Sequence, residues 1–288
     1  MKKVKKIILR AALLVVLFIA VVALPIGIER SDTTKTSHRV EEVRIDNSLT
    51  DTLLFSASDR DVEKFMKYWD LKGASVAVAK DGKLLYAHGF GYASVEDGEK
   101  VQPYYRFRVA SISKLVTAVA IMKLQEEGKL SVNDHVFGTD GILNDTIFSH
   151  PKDNRVYSIT VGHLLAHKGG WTTRWGDQMF MPDVVSKETG VPMPVDTRTI
   201  VRFALSKNLH YTPGMGQSYS NLGYSILGLV IEKVTGMKYE DYCERYILRP
   251  LGIYDMELAH NLKSQKAPYE VTYYITPETK PKPSVYGT

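Results

Sequence analysis

Along the chain the apolar residues change period, and the changes divide it into elements. Between 58 and 69 they fall at helical spacing, which predicts a helix with Phe65, Met66 and Trp69 on one face. Over 74–79 and 84–92 they alternate with small or polar residues on either side of Asp81-Gly82. Two alternating runs around Asp-Gly predict a β-hairpin, because both central residues of the tight turn take positive φ. From 115 the period is helical again, with Leu115, Val116, Val119, Ile121, Met122 and Leu124 leading to a stop at Gly128. Another helical run covers 222–234, with loops interrupting the block between. Strands first and helices next predict an α+β domain, in which helices pack on an antiparallel sheet. The polar stretch over 31–50 reads as a linker, and 51–288 suffices for one domain with a sizeable core.

Ahead of the linker the pattern is of another kind. Residues 1–30 open with Lys2, Lys3, Lys5, Lys6 and Arg10, then run without charge for 18 residues, from 11 to 28. That length exceeds the core of a usual secretory leader and falls slightly short of a usual spanning helix, so leader and membrane anchor both stand. Ala23, with Val21 two positions earlier, offers a cleavage position, and no cysteine follows the run to carry a lipid. The basic flank predicts that the domain faces away from the cytoplasm, held at the cell membrane, or periplasmic or secreted if the leader is cleaved. The same flank accounts for the net charge of +5, since beyond residue 30 the chain carries 31 basic and 31 acidic residues. A neutral exported part gives no electrostatic footprint for nucleic acid. The single cysteine, Cys243, excludes an internal disulfide and reads as a packed helix residue.

The chemistry concentrates in two short motifs. Val-Ala-Ser-Ile-Ser-Lys over 109–114 places Ser111 and Lys114 three apart at a helix start, so both lie on one face one turn apart. A serine hydroxyl needs a proton acceptor within reach, and a helix N-terminus adds positive potential where an oxyanion develops. Ser149 and Lys152 repeat the spacing, but Pro151 and a turn-rich context argue against a nucleophilic helix start there. The second motif, Tyr219-Ser220-Asn221, lies between a turn at Thr212-Pro213-Gly214 and the helical run from 222. There a phenol can exchange a proton with Ser111 if Lys114 lowers its pKa, while Asn221 binds a substrate amide. The alternative is a packed tyrosine with Asn221 as a helix cap.

With these motifs the sequence resembles the serine β-lactamase and penicillin-binding protein superfamily, in its class C-like branch. The resemblance covers about 74–252, through FRVASISK (107–114), EGKLSVND (127–134), ITVGHLLAHKGG (159–170), YTPGMGQSYSNLGYSILG (211–228) and RPLGI (249–253). It implies acylation of Ser111, activation by Lys114, proton shuttling by Tyr219 and a substrate-binding role for Asn221. Tyr-Ser-Asn, where class A enzymes carry Ser-Asp-Asn, points away from class A. The family's third motif, Lys-Thr-Gly or His-x-Gly on a late strand, has no match in a suitable place. Lys233-Val-Thr-Gly236 reads as a helix C-cap, and His260-Asn-Leu262 lacks the glycine. With 36 residues after Gly252 the expectation is a chain short of its C-terminal strands, leaving a sheet edge unpaired and an apolar face uncovered.

The expected activity is hydrolysis through a covalent acyl-enzyme, on a β-lactam, a D-amino-acid peptide of peptidoglycan type, or a small ester. The other reading is an impaired remnant that binds cell-wall peptide or a partner without turnover. No cofactor is expected. His163 and His167 have a spacing that can hold zinc, but neither a following glutamate nor a third ligand accompanies them, so no metal is expected. The Gly169-Gly170-Trp171 stretch, with Arg174 and Trp175, either lines the substrate cleft or is a loop packed by its tryptophans.

Overall fold

The computed structural model describes residues 44–49, 52–174, 176–260 and 263–274. The expected leader or anchor over 1–30 lies outside them, as does the linker up to 43. Among the described residues no helix is long and apolar enough to cross a membrane.

The chain opens with helix α1 (Thr52–Trp69), then strands β1 (Gly73–Lys80) and β2 (Lys83–Ser94), which pair antiparallel. Asp81 and Gly82 take φ of 51° and 71°, the two positive values that the Asp-Gly turn predicts. A short strand β3 (Glu99–Lys100) completes a three-stranded sheet among the described residues, in the order β1-β2-β3. Its two residues are too few to leave a periodic signal in the sequence. Helix α1 lies on the sheet face that carries Tyr86 and Phe90, and it presents the predicted Met66 together with Phe55 and Val62 in place of Phe65 and Trp69. Positions 55, 62 and 66 form one helical row, and Phe65 and Trp69 fall beside it, 55% and 58% exposed.

The remaining helices are α2 (Ser113–Glu126), α3 (Val161–Leu165), α4 (Pro182–Thr189), α5 (Thr197–Leu205), α6 (Asn221–Thr235) and α7 (Tyr239–Cys243), the last running on into a π-helical turn. They enclose one core whose centre is α6, with Leu222, Ile226, Leu227, Val230 and Ile231 fully buried. A helix apolar on most of its circumference is stable only when surrounded, which is the position α6 holds. Gly236, at φ 69°, ends α6 with its N–H on the Glu232 carbonyl, so Lys233-Val-Thr-Gly is the C-cap the sequence suggests. Cys243 is buried, and burial pushes its thiol up to about 11, so it packs as a small apolar residue.

Helix α2 is used differently from α6. It buries Thr117, Ala120, Ile121 and Leu124 and leaves Leu115, Val119 and Met122 exposed, with Ile112 just ahead of it exposed as well. The extended stretch leading into it is held by residues near the described C-terminus. Arg106 exchanges backbone bonds with Tyr269 and Val271, at 2.7 and 3.1 Å. The Arg108 N–H donates to the Tyr273 hydroxyl at 2.7 Å, and its side chain pairs with the buried Glu270 carboxylate. Thr272 adds a bond to the Ala93 carbonyl at the end of β2, so one segment ties sheet and nucleophile approach together.

Candidate active site

Ser111 stands in the single 3₁₀ turn Ala110–Ile112 that runs directly into α2. Ala110 before it has φ +45°, a left-handed conformation that costs a non-glycine residue energy and is held here by the surrounding structure. Lys114 is the second residue of α2, and its Nζ lies 3.4 Å from Ser111 Oγ, the reach expected for that spacing.

The second motif meets the first from across the block. Ser220 is the N-cap of α6, its hydroxyl accepting the Gly223 N–H at 3.0 Å. Capping by Ser220 frees Asn221, so the alternative reading of Asn221 as the cap is not what forms. Tyr219, immediately ahead of the cap, brings its hydroxyl 2.5 Å from Ser111 Oγ. Lys114 Nζ donates to Asn221 Oδ1 at 2.6 Å and lies 4.7 Å from the centre of the Tyr219 ring. All four sequence-predicted residues, Ser111, Lys114, Tyr219 and Asn221, therefore meet in one cluster.

The surroundings of Tyr219 lower the pKa of its phenol. Partial burial pushes its phenol up, but hydrogen bonds with Lys114 and Ser111 and the charge of Lys114 outweigh that, leaving the pKa below its ordinary value. Tyr219 is 47% exposed, so a substrate has access to the pair.

Two residues of the cluster lie outside the two catalytic motifs at 109–114 and 219–221. His167, at φ +57° beyond the end of α3, packs its ring 4.7 Å from that of Tyr219 and 5.1 Å from that of Tyr224. Its Nδ1 accepts the Ser220 N–H, so the ring proton sits on Nε2. Burial first, then the charge of Lys114, lowers its pKa and keeps it a neutral acceptor. Asp177, in the loop after Trp171, accepts the Asn221 Nδ2 hydrogen bond through Oδ2 at 2.7 Å and the Met179 N–H through Oδ1 at 2.9 Å. A faint signal for His167 exists in the sequence, where it stands out four residues after His163; nothing local marks Asp177.

Other features the sequence singles out lie elsewhere. His163 belongs to a capping box with Thr160 at the start of α3, so the two histidines do not share a helix face. Trp171 is buried in the core and Gly169 lies against its ring, so Trp171 packs this loop rather than lining a cleft; Trp175 is outside the described residues. Ser149 bonds to the Thr146 carbonyl and the Lys152 N–H to the Leu205 carbonyl, neither near the cluster. Lys233 pairs with Asp145 at 3.4 Å. A concavity of about 590 Å³ between His135 and Tyr157 shares no side chain with the cluster, so chemistry rather than concavity marks the site.

A serine hydroxyl contacted by a phenol of lowered pKa and by a lysine is an arrangement that can activate a serine. The Beta-lactamase family profile matches residues 59–287, and the chain belongs to that family. It is 30% identical to Protein flp of Staphylococcus aureus (strain N315) over 193 residues, 67% of this chain and 36% of that protein. It is 32% identical to Penicillin-binding protein 4* of Bacillus subtilis (strain 168) over 181 residues, 62% of this chain and 36% of that one. Among solved structures, the octameric penicillin-binding protein homologue from Pyrococcus abyssi superimposes with a TM-score of 0.62 at 32% identity, covering 81% of this chain and 51% of that one. The chain thus spans about a third of the length of the curated relatives it matches.

Proposed function

We propose that this protein is a serine hydrolase that works through an acyl-enzyme on Ser111. The observation that carries the reading is the 2.5 Å approach of the Tyr219 hydroxyl to Ser111 Oγ, with Lys114 Nζ 3.4 Å from the same oxygen. In the reacting state the Tyr219 phenolate takes the Ser111 proton as Oγ bonds to the substrate carbonyl carbon. The Ser111 N–H, at the opening of α2, faces the charge that develops on the carbonyl oxygen. Collapse breaks the bond to the leaving amine or alcohol, which receives the proton from Tyr219. Water, activated by the same phenolate, then releases the acyl group and restores Ser111. Lys114 stabilises the phenolate, and Asn221 is placed to bond a substrate amide.

The family and the penicillin-binding names of the relatives support a β-lactam or a D-amino-acid peptide as the acyl donor, with a small ester as the third class. The charged and then apolar sequence of 1–30 supports export. The test is mass spectrometry after exposure to a fluorophosphonate or a labelled penicillin. An adduct on the peptide containing Ser111, lost in Ser111→Ala, is expected, and labelling that survives the substitution overturns the reading. Lys114→Ala, Tyr219→Phe and the double variant are expected to lose similar amounts of rate, because groups that act as a unit are non-additive. Fully additive losses would separate their roles.

A further inference from the structure

Beyond the three reacting residues, the cluster holds a carboxylate that the motifs do not contain. Asp177 reaches it through one amide. Its Oδ2 accepts from Asn221 Nδ2 at 2.7 Å, and the other end of that amide, Oδ1, accepts from Lys114 Nζ at 2.6 Å. An asparagine amide has a donor end and an acceptor end, and its two faces are nearly equal in shape. Here chemistry decides between them. Turning the amide over would set its NH2 against the lysine amine and its carbonyl against the carboxylate, losing two charge-assisted hydrogen bonds and creating two repulsions.

Asp177 is itself held in place. Its Oδ1 caps the 3₁₀ turn Gln178–Phe180 by accepting the Met179 N–H, and Met179 is anchored in the main core. A core-anchored turn thus fixes a carboxylate, the carboxylate fixes an amide, and the amide fixes the amine beside Ser111.

We propose that Asp177 is the positioning residue of this centre, locking the Asn221 amide so that its carbonyl aims Lys114 at Ser111 and Tyr219. The inference rests on the reading of Ser111 as the acylated residue. It carries a second consequence, because the carboxylate is near enough to act on the Tyr219 phenol. The charged and titratable groups around that phenol are Lys114 on α2, His167 beyond α3, Asp177 in its loop and Tyr224 on α6. Lys114 favours the phenolate and Asp177 opposes it. Asp177 therefore holds Lys114 in place and limits how acidic Tyr219 becomes, which are separable effects of one side chain.

Two substitutions separate them. In Asp177→Asn one carbonyl oxygen replaces two, so the side chain can still accept from Asn221 while its NH2 stands where Oδ1 capped the turn, and the charge goes with the cap. In Asp177→Ala the bond to Asn221 is lost as well. The readout is the rate of fluorophosphonate labelling at Ser111 as a function of pH, on the full chain. Asp177→Ala is expected to slow labelling by about 10- to 100-fold, the scale of a misplaced catalytic group. Asp177→Asn, which keeps the bond from Asn221, is expected to recover part of that rate, with the acid limb of its profile moved to lower pH because Tyr219 loses an opposing charge. Asp177→Ala made on top of Asn221→Ala is expected to cost almost nothing more, since the proposed effect travels through Asn221.

The outcomes are distinguishable. If the wild-type chain gives no adduct at Ser111, the acylation reading falls and takes this proposal with it. If the wild type labels at Ser111 while Asp177→Ala labels equally fast, the proposal alone falls. It also falls if the Asp177→Ala loss is undiminished in the Asn221→Ala background, for then Asp177 acts on the fold of its loop. Should Asp177→Ala fail to fold, Asp177→Asn decides, and a labelling rate and an acid limb both equal to those of the wild type overturn the proposal.

Discussion

The helical block and the hairpin layer of this protein are built to different depths. Around α6 the buried side chains form one continuous core, drawing on helices α2 to α7 and on the loops between them. Under α1 the corresponding cluster is Met66, Tyr86 and Phe90, with Phe55, Val62, Ala74 and Val76 packed at its margin. The apolar residues are present in both regions, but in the layer they face outward. Phe65, Tyr68 and Trp69 on α1 and Leu84 and Leu85 on β2 are all more than half exposed. Burying a large apolar side chain contributes roughly 1.5–3 kcal/mol only when it leaves water, so the same composition stabilises the block far more than the layer. The site follows this division. Ser111 and Lys114 open α2, Tyr219 and Asn221 open α6, and His167 and Asp177 come from loops anchored in the block.

The largest expected effect is therefore in the block. Ile226 is fully buried, five residues after Asn221 on the same helix. Ile226→Ala leaves a cavity at the centre of the core and is expected to cost about 3–4 kcal/mol in urea unfolding, with Ser111 labelling lost in step. Met66→Ala tests the other side. Its cluster is small and at the surface, so a loss of about 2 kcal/mol is expected, at the low end for such a deletion. The labelling rate at Ser111 should stay at the wild-type value under native conditions. If Met66→Ala instead abolishes labelling, block and layer form one cooperative unit and the contrast between them is wrong.

The same division sets what could be read from the sequence. Ser111 and Lys114 are legible because one helical turn brings them together, and the whole statement is local. Tyr219 and Asn221 are legible as a short motif at a helix start, and Gly236 as the glycine that ends that helix. The Asp81-Gly82 hairpin follows from turn chemistry alone. Asp177 is not legible, since its role depends on a turn after Trp171 meeting the start of α6, and no spacing along the chain encodes that approach. His167 was visible only as half of a histidine pair, and its packing on Tyr219 depends on α3 ending at Leu165, two residues earlier. For α1 the period was legible and the phase was not. A helix with apolar residues at 55, 62, 65, 66 and 69 has more than one candidate inner face, and only the position of Tyr86 and Phe90 selects the row through Met66.

The smallest expected effect comes from that unselected face of α1. Tyr68 is 79% exposed, edge-on to Trp69, which in turn lies beside Phe65. In a folded chain such a side chain has little burial to lose, so Tyr68→Lys is expected to change unfolding stability by no more than about 0.5 kcal/mol. What should change is association. Three neighbouring aromatic side chains on one exposed face form an apolar patch of the kind that drives self-association, and a lysine at its edge adds charge where water is excluded on contact. Light scattering of the purified chain against concentration should show less association in Tyr68→Lys than in the wild type, with Ser111 labelling unchanged. A stability loss of 2 kcal/mol or more would show that this face is covered in solution, and the layer would then be deeper than its described contacts make it.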